Sequence, residues 1–173
     1  DRATYETVTS LDRLAAWIAD ARAAGRFAFD IETTALNCMT CDLVGLSLAV
    51  APGKACYVPV GHRAQGEGFD FGDGGGLVQA PLRETLALLK PLLEDASILK
   101  IGQNIKFDCL VLKRHGIRVS PIDDTMLISY VLDAGRGGHG MDDLSERHLG
   151  HTCLSFDQMV AALPGKKADK SFA

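Results

Sequence analysis

Two short stretches of this chain hold acids at spacings that suit chemistry. The first is Phe27-Ala28-Phe29-Asp30-Ile31-Glu32-Thr33. If it is extended, Phe27, Phe29 and Ile31 share one face, and Asp30 and Glu32 share the other, roughly 6.6 Å apart along the strand. Such a face meets solvent, or it is buried where cations or specific donors compensate the charge. The apolar run before Asp30 favours burial at least to that point. The second stretch is Lys100-Ile101-Gly102-Gln103-Asn104-Ile105-Lys106-Phe107-Asp108. It reads as a strand end, a glycine turn and the start of a helix. Asn104 suits an N-cap, and Asp108, four residues on, would share its face about one turn in, where the helix dipole favours an anion. A cap and a dipole-compensating aspartate would explain both residues. But Ile105, Phe107, Cys109, Leu110, Val111 and Leu112 leave this helix little polar face, so Asp108 needs a partner.

The elements that would position these acids are legible from periodicity. Ser10 caps a helix to about Ala24, with a stripe of Leu11, Leu14, Trp17, Ile18 and Ala21 and a stop at Gly25. Arg26–Glu32, Leu43–Val50 and Ala55–Val60 read as strands, and the turn at Pro52-Gly53 makes the last two antiparallel. The glycine-rich stretch 61–76 reads as a surface loop. Pro81 starts a helix through Leu93. Ser97–Ile101 is a short strand, Asn104 opens a helix to Gly116, and 117–122 is extended. Helices at 124–133 and 141–149 flank a loop at 135–140. The tail after Gly165 reads as a solvated end. Three neighbouring strands, then helix, strand, helix, predict an α/β fold with a ribonuclease H-like mixed sheet, antiparallel in its first three strands and then parallel, flanked by helices.

The chain has 173 residues, 47% of them apolar and 23% charged, enough for one ordinary domain with a real core. Its net charge is −4, which argues against a protein that coats duplex DNA through a broad basic face. It leaves room for one that grips a few nucleotides through metals. No apolar run reaches the ~18 residues of a membrane span, and there is no leader-like opening, so no membrane partner is expected. Asp1 rather than Met opens the chain, which points to an excerpt of something longer. The five cysteines are odd in number, and Cys56 and Cys109 sit in apolar runs, which suits a reduced cytosolic protein. Cys38 and Cys41 form a C-x-x-C without the second ligand pair a zinc site requires, so two reduced thiols in a loop are expected there.

Together the motifs carry a family resemblance. Phe29-Asp-Ile-Glu-Thr-Thr34, followed by Leu36, resembles the first motif of the DEDD 3′–5′ exonucleases, and Gly102-Gln-Asn-Ile-Lys-Phe-Asp108 resembles the second. The text between and after them resembles the proofreading exonuclease domains of bacterial DNA polymerase I: Asp42-Leu-Val-Gly-Leu-Ser-Leu-Ala-Val50, Pro52-Gly53, Ala55-Cys-Tyr-Val-Pro-Val-Gly-His62, Asp124-Thr-Met-Leu-Ile-Ser-Tyr130, His139-Gly-Met-Asp142-Asp-Leu144 and Ser155-Phe156. It spans residues 26–156, and two motifs in order with matching spacer text are specific. The resemblance implies two-metal hydrolysis of single-stranded or frayed DNA 3′ ends to nucleoside 5′-monophosphates. Two divalent cations, Mg²⁺ with Mn²⁺ or Zn²⁺ as alternatives, would be held by Asp30, Glu32 and Asp108. Asn104 would orient substrate, with Thr33 and Gln103 beside it. Leu36 and Phe156 would hold the terminal bases, against core packing as their competing explanation. The partners implied are a DNA 3′ end and a polymerase domain of the same parent chain, in the bacterial cytoplasm at the nucleoid.

One part of the pattern is missing. The family's third motif, Tyr-x-x-x-Asp or His-x-x-x-x-Asp, occurs nowhere in the 173 residues. The chain is therefore expected to be a single exonuclease-like domain, 1–173, that is incomplete at its C-terminal end. Gly138 also stands where a basic residue is expected before His139, with Arg136 as a possible substitute. A metal position short of one carboxylate would admit water and loosen, so this span alone is expected to cleave slowly. Two other functions fit the motifs: a 3′–5′ exoribonuclease of the same superfamily, and an inactive scaffold derived from such a domain.

Overall fold

A computed structural model describes residues 5–62, 78–154 and 158. The chain runs β1 (Glu6–Thr7), α1 (Leu11–Ala24), β2 (Arg26–Thr33), β3 (Leu43–Ala51), β4 (Lys54–Pro59), α2 (Leu82–Leu93), β5 (Leu99–Gly102), α3 (Lys106–Arg114), β6 (Ile122–Asp124), α4 (Thr125–Leu132) and α5 (Met141–Leu149). The six strands form one sheet in the order β1-β4-β3-β2-β5-β6. β2 pairs antiparallel with β3, and β3 with β4; β5 pairs parallel with β2, and β6 with β5. This is the expected ribonuclease H-like mixed sheet. β1, parallel to β4, is an addition too short to leave a period in the sequence. Arg13 and Trp17 both hydrogen-bond Glu6, which ties this short edge strand to α1.

β2 is central, and its alternation is as expected: Phe27, Phe29 and Ile31 are buried. They join Leu14, Trp17 and Ala21 of α1 and Leu86, Leu89, Leu92 and Leu93 of α2 in one core. Ser10 accepts the N–H of Arg13, and Gly25 ends α1 in the left-handed conformation with φ 67°. β5 is anchored by Lys100, which is fully buried. Its ammonium donates to the carbonyls of Asp95, Ile98 and Ser120 at 2.7, 2.8 and 2.6 Å, so all three of its protons have acceptors.

Asn104 does not cap α3 as expected. It precedes the helix with φ 54°, and Ile105 stands at the cap position without a side-chain bond. The capping work falls instead to Asp124, at the end of β6. Its carboxylate accepts the N–H groups of Asn104 and Ile105 at 3.0 and 3.1 Å. It also accepts those of Met126 and Leu127 at the start of α4, at 2.9 and 3.4 Å. One buried acid thus satisfies orphan donors at two helix starts, and Asn104 and Asp108 do not share a helix face. Most of the loop expected at 61–76, Phe156 and the tail after Gly165 lie outside the described residues.

Candidate active site

β2, the loop after it and the start of α3 enclose a cleft of about 620 Å³. Asp30, Glu32, Thr33, Leu36, Gln103, Asn104 and Asp108 all line it, so every described candidate from the sequence meets in one place. Asp30 and Glu32 enter from the face of β2 opposite the core. Asp108 enters from the first turn of α3, is only 4% exposed, and accepts the backbone N–H of Ile31 at 3.0 Å. That bond is the partner its apolar helix demanded. Among the described residues, no three His, Cys, Asp or Glu side chains form a group already arranged to hold a metal ion.

Burial makes all three carboxylates harder to ionise, and the charge of Asp30 adds to this at Glu32 and Asp108. Burial pushes the Asp108 carboxyl up to about 7, and the negative charge of Asp30 adds to it, against the donated N–H of Ile31. Burial also raises Asp30, offset by a backbone hydrogen bond from Ile31. Glu32 is raised by burial and by the Asp30 charge. Asp108 is buried, Glu32 half-buried and Asp30 exposed at the cleft, and together they offer the hard-oxygen donors that a divalent cation neutralises.

The rim is built by loop 34–42. Thr34 and Asp42 close its neck: Thr34 N–H donates to the Asp42 carbonyl at 3.0 Å, and Asp42 N–H to the Thr34 hydroxyl at 2.9 Å. The Thr33 hydroxyl donates to the Ala35 carbonyl, which holds the turn that carries Leu36. Leu36 is 96% exposed at the cleft mouth, which removes core packing as its explanation. The loop is tied to α3 by Arg114, whose guanidinium donates to the carbonyls of Cys38 and Cys41 at 3.0 and 2.7 Å. The cysteine pair therefore sits in a loop braced by an arginine, with neither thiol in a disulfide.

On the opposite wall the Gln103 amide is held by its neighbours. Its Nε2 donates to the His139 carbonyl at 2.8 Å, and its Oε1 meets the Thr125 hydroxyl. His139 in turn bonds the Ser129 hydroxyl and stacks on Tyr130. Sequence reading missed this bracket, and it missed Asp124 as the organiser of the Asn104 turn. Both lie in text that was matched as motif, Asp124–Tyr130 and His139–Leu144, without a role for the side chains.

A family model described as 3′–5′ exonuclease matches residues 5–164. DNA polymerase I of Rhizobium leguminosarum is 50% identical over 171 residues, covering 94% of this chain and 17% of that protein. DNA polymerase I of Pseudomonas aeruginosa is 36% identical over 159 residues, covering 90% of this chain and 16% of that protein. The chain thus spans about a sixth of the length of these curated relatives. Among solved structures, Escherichia coli RNase D, an exoribonuclease involved in structured RNA processing, superposes with TM-score 0.64 at 20% identity, over 91% of this chain and 40% of that one. Brucella melitensis NrnC with bound Mg²⁺ gives 0.61 at 22% identity, over 92% and 66%. At such identities these structures speak for the fold alone. With the family match running through both acid motifs and the whole sheet that presents them, the chain belongs to the 3′–5′ exonuclease family.

Proposed function

We propose that this chain is the exonuclease domain of a bacterial DNA polymerase I-like protein and removes nucleotides from single-stranded or frayed DNA 3′ ends. The observation that carries this is the convergence of Asp30, Glu32 and Asp108 on one cleft whose mouth holds an exposed apolar side chain. The relatives at 50% and 36% identity, both DNA polymerase I, support DNA as substrate and a polymerase domain as partner. Their bacterial origin supports a place in the cytoplasm at the nucleoid. Among the described residues, no helix is long and apolar enough to cross a membrane.

Asp30, Glu32 and Asp108 would hold the divalent cations, Mg²⁺ first and Mn²⁺ or Zn²⁺ as alternatives. The donor chemistry fits, since all three acids are raised toward neutrality by burial or by each other. When bound, such ions lower the pKa of water and stabilise charge on a leaving oxygen. Water adds to the phosphorus of the terminal phosphodiester, the bond to the 3′ oxygen of the penultimate nucleotide breaks, and a nucleoside 5′-monophosphate leaves. Leu36 packs against the terminal base, and the Asn104 turn and braced Gln103 bound the opposite wall. Phe156 is proposed as a stacking partner for the neighbouring base. Recognition through few nucleotides suits a net charge of −4.

The fold likeness to an exoribonuclease keeps RNA as the second substrate to be tested. The experiment is digestion of matched single-stranded DNA and RNA oligonucleotides by the full-length protein in Mg²⁺, with Asp30→Ala as control. Stepwise loss of 5′-mononucleotides from DNA, abolished by Asp30→Ala, is expected. Faster digestion of RNA would assign the ribonuclease reading. No digestion of either would leave the scaffold.

A further inference from the structure

β3 carries one residue too many opposite the catalytic strand. Glu32 pairs with Gly45 but Thr33 pairs with Leu43, so Val44 is left over as a bulge. Bulges bend a strand and re-aim the side chains beside them, and this one lies against Glu32.

The bulge is held from its far side by the end of β4. The Val44 carbonyl accepts the N–H groups of Val60 and Gly61, both at 2.9 Å. Gly61 lies so close that a Cβ there would sit 2.3 Å from the Leu43 carbonyl oxygen. Tyr57 takes the space that Gly45 leaves open: a Cβ at Gly45 would come within 1.9 Å of the phenol oxygen. Ser47 is in register with both Asp30 and Tyr57, so the ring starts in the Asp30 row and leans into the Glu32 row.

The phenol is itself fixed. It shares a hydrogen bond of 2.7 Å with His62 Nε2. The Gln79 side chain grips the His62 backbone at both ends, accepting its N–H at 2.7 Å and donating to its carbonyl at 2.8 Å. Burial and the Glu32 charge push the Tyr57 phenol up to about 12, so it stays a neutral O–H. A part-buried chain of three polar side chains, aimed at a glycine gap beside Glu32, is more than sheet packing requires.

We propose that Tyr57, fixed by His62 and Gln79, is a positioning residue for Glu32: it holds the Val44 bulge and so sets the angle at which the Glu32 carboxylate enters the cleft. This rests on the proposed catalytic use of Glu32. A misplacement of ~1 Å in such a site can cost about a hundredfold in rate. Loss of one hydrogen bond from the chain is therefore expected to cost about tenfold.

The test uses the full-length protein, a single-stranded DNA oligonucleotide and a Mg²⁺ titration. Tyr57→Phe should lower kcat about tenfold and raise the Mg²⁺ concentration for half-maximal rate, while KM for DNA changes less than about twofold. His62→Ala should match it, and His62→Gln, which restores a hydrogen-bonding group near the phenol, should recover most of the rate. Unchanged kcat and Mg²⁺ dependence in Tyr57→Phe, at equal folded protein, would overturn the inference. If Tyr57→Phe does not fold, Gln79→Ala loosens His62 from outside the sheet and is held to the same criteria. Glu32→Ala is run in parallel. Full activity there would overturn the catalytic assignment of Glu32 itself, a different failure from an inert Tyr57→Phe beside a dead Glu32→Ala.

Discussion

The backbone N–H of Ile31 donates to Asp108 Oδ1 at 3.0 Å, from the middle of the central strand to the first turn of α3. Ile31 stands between Asp30 and Glu32, so the bond fixes the third acid to the backbone unit that presents the other two. It gives Asp108 two separable tasks, accepting a hydrogen bond and carrying charge.

Substitution should separate them. Asp108→Asn keeps an oxygen for Ile31 and removes the charge, so folding should survive while cleavage is lost. Asp108→Ala orphans a buried N–H and should cost about 1–3 kcal/mol besides. Thermal melts and nuclease assays on both variants check this. Equal destabilisation by the two would mean that Ile31 does not depend on the bond.

The same residue should make cation-free stability depend on pH. The unfolded Asp108 ionises near its ordinary value of 3.8, the folded one at about 7. Between these values the folded state holds the extra proton, so stability is full below about 4 and declines as pH rises through about 7. The raised carboxyls of Asp30 and Glu32 act in the same direction. Above pH 7 the Asp108 contribution alone approaches a loss of roughly 4 kcal/mol. Melting in a chelator across this range should show the decline, Asp108→Asn should flatten it, and Mn²⁺ at pH 8 should reverse it. A melting temperature that rises between pH 5 and 8 in chelator would contradict the electrostatics of the site.

Asp30→Ala should abolish cleavage and leave melting unchanged or raised, because it removes a charge that opposes its neighbours. A large drop in melting temperature would make Asp30 a structural residue.

Leu36→Ala should change stability by less than about 0.5 kcal/mol, since the side chain lies in solvent. It should weaken binding of a DNA 3′ end by about 3–10-fold through lost apolar contact. Fluorescence anisotropy with a labelled oligonucleotide in Ca²⁺ measures it. Unchanged affinity would remove Leu36 from the substrate site.

Much of this was legible because it is periodic or local. Phe27, Phe29 and Ile31 alternate, and alternation alone placed Asp30 and Glu32 on the other face of β2. The apolar run around Asp108 announced a buried acid, though not that its partner would be a backbone group 77 residues away. What stayed hidden depends on register and on distant pairs. A bulge at Val44 leaves no mark in the β3 pattern, and the grip of Gln79 on His62, 17 residues away, leaves none either. Asn104 was misread because a cap residue and a left-handed turn residue look alike in sequence. The acid that caps there comes from β6.

The four amide protons gathered by Asp124 belong to two segments, 104–105 and 126–127, about twenty residues apart in sequence. They have one acceptor group between them, so neither segment opens without disturbing the other. In hydrogen exchange these amides should behave as one cooperative unit with a common protection, although they sit at the starts of different helices, where exchange is ordinarily fast. Asp124→Ala should collapse the protection of all four together. The wall of the cleft would then inherit the opening rate of α4, a helix whose Leu127, Val131 and Leu132 are exposed. Whatever steadies α4 should therefore also prolong the formed state of the cleft.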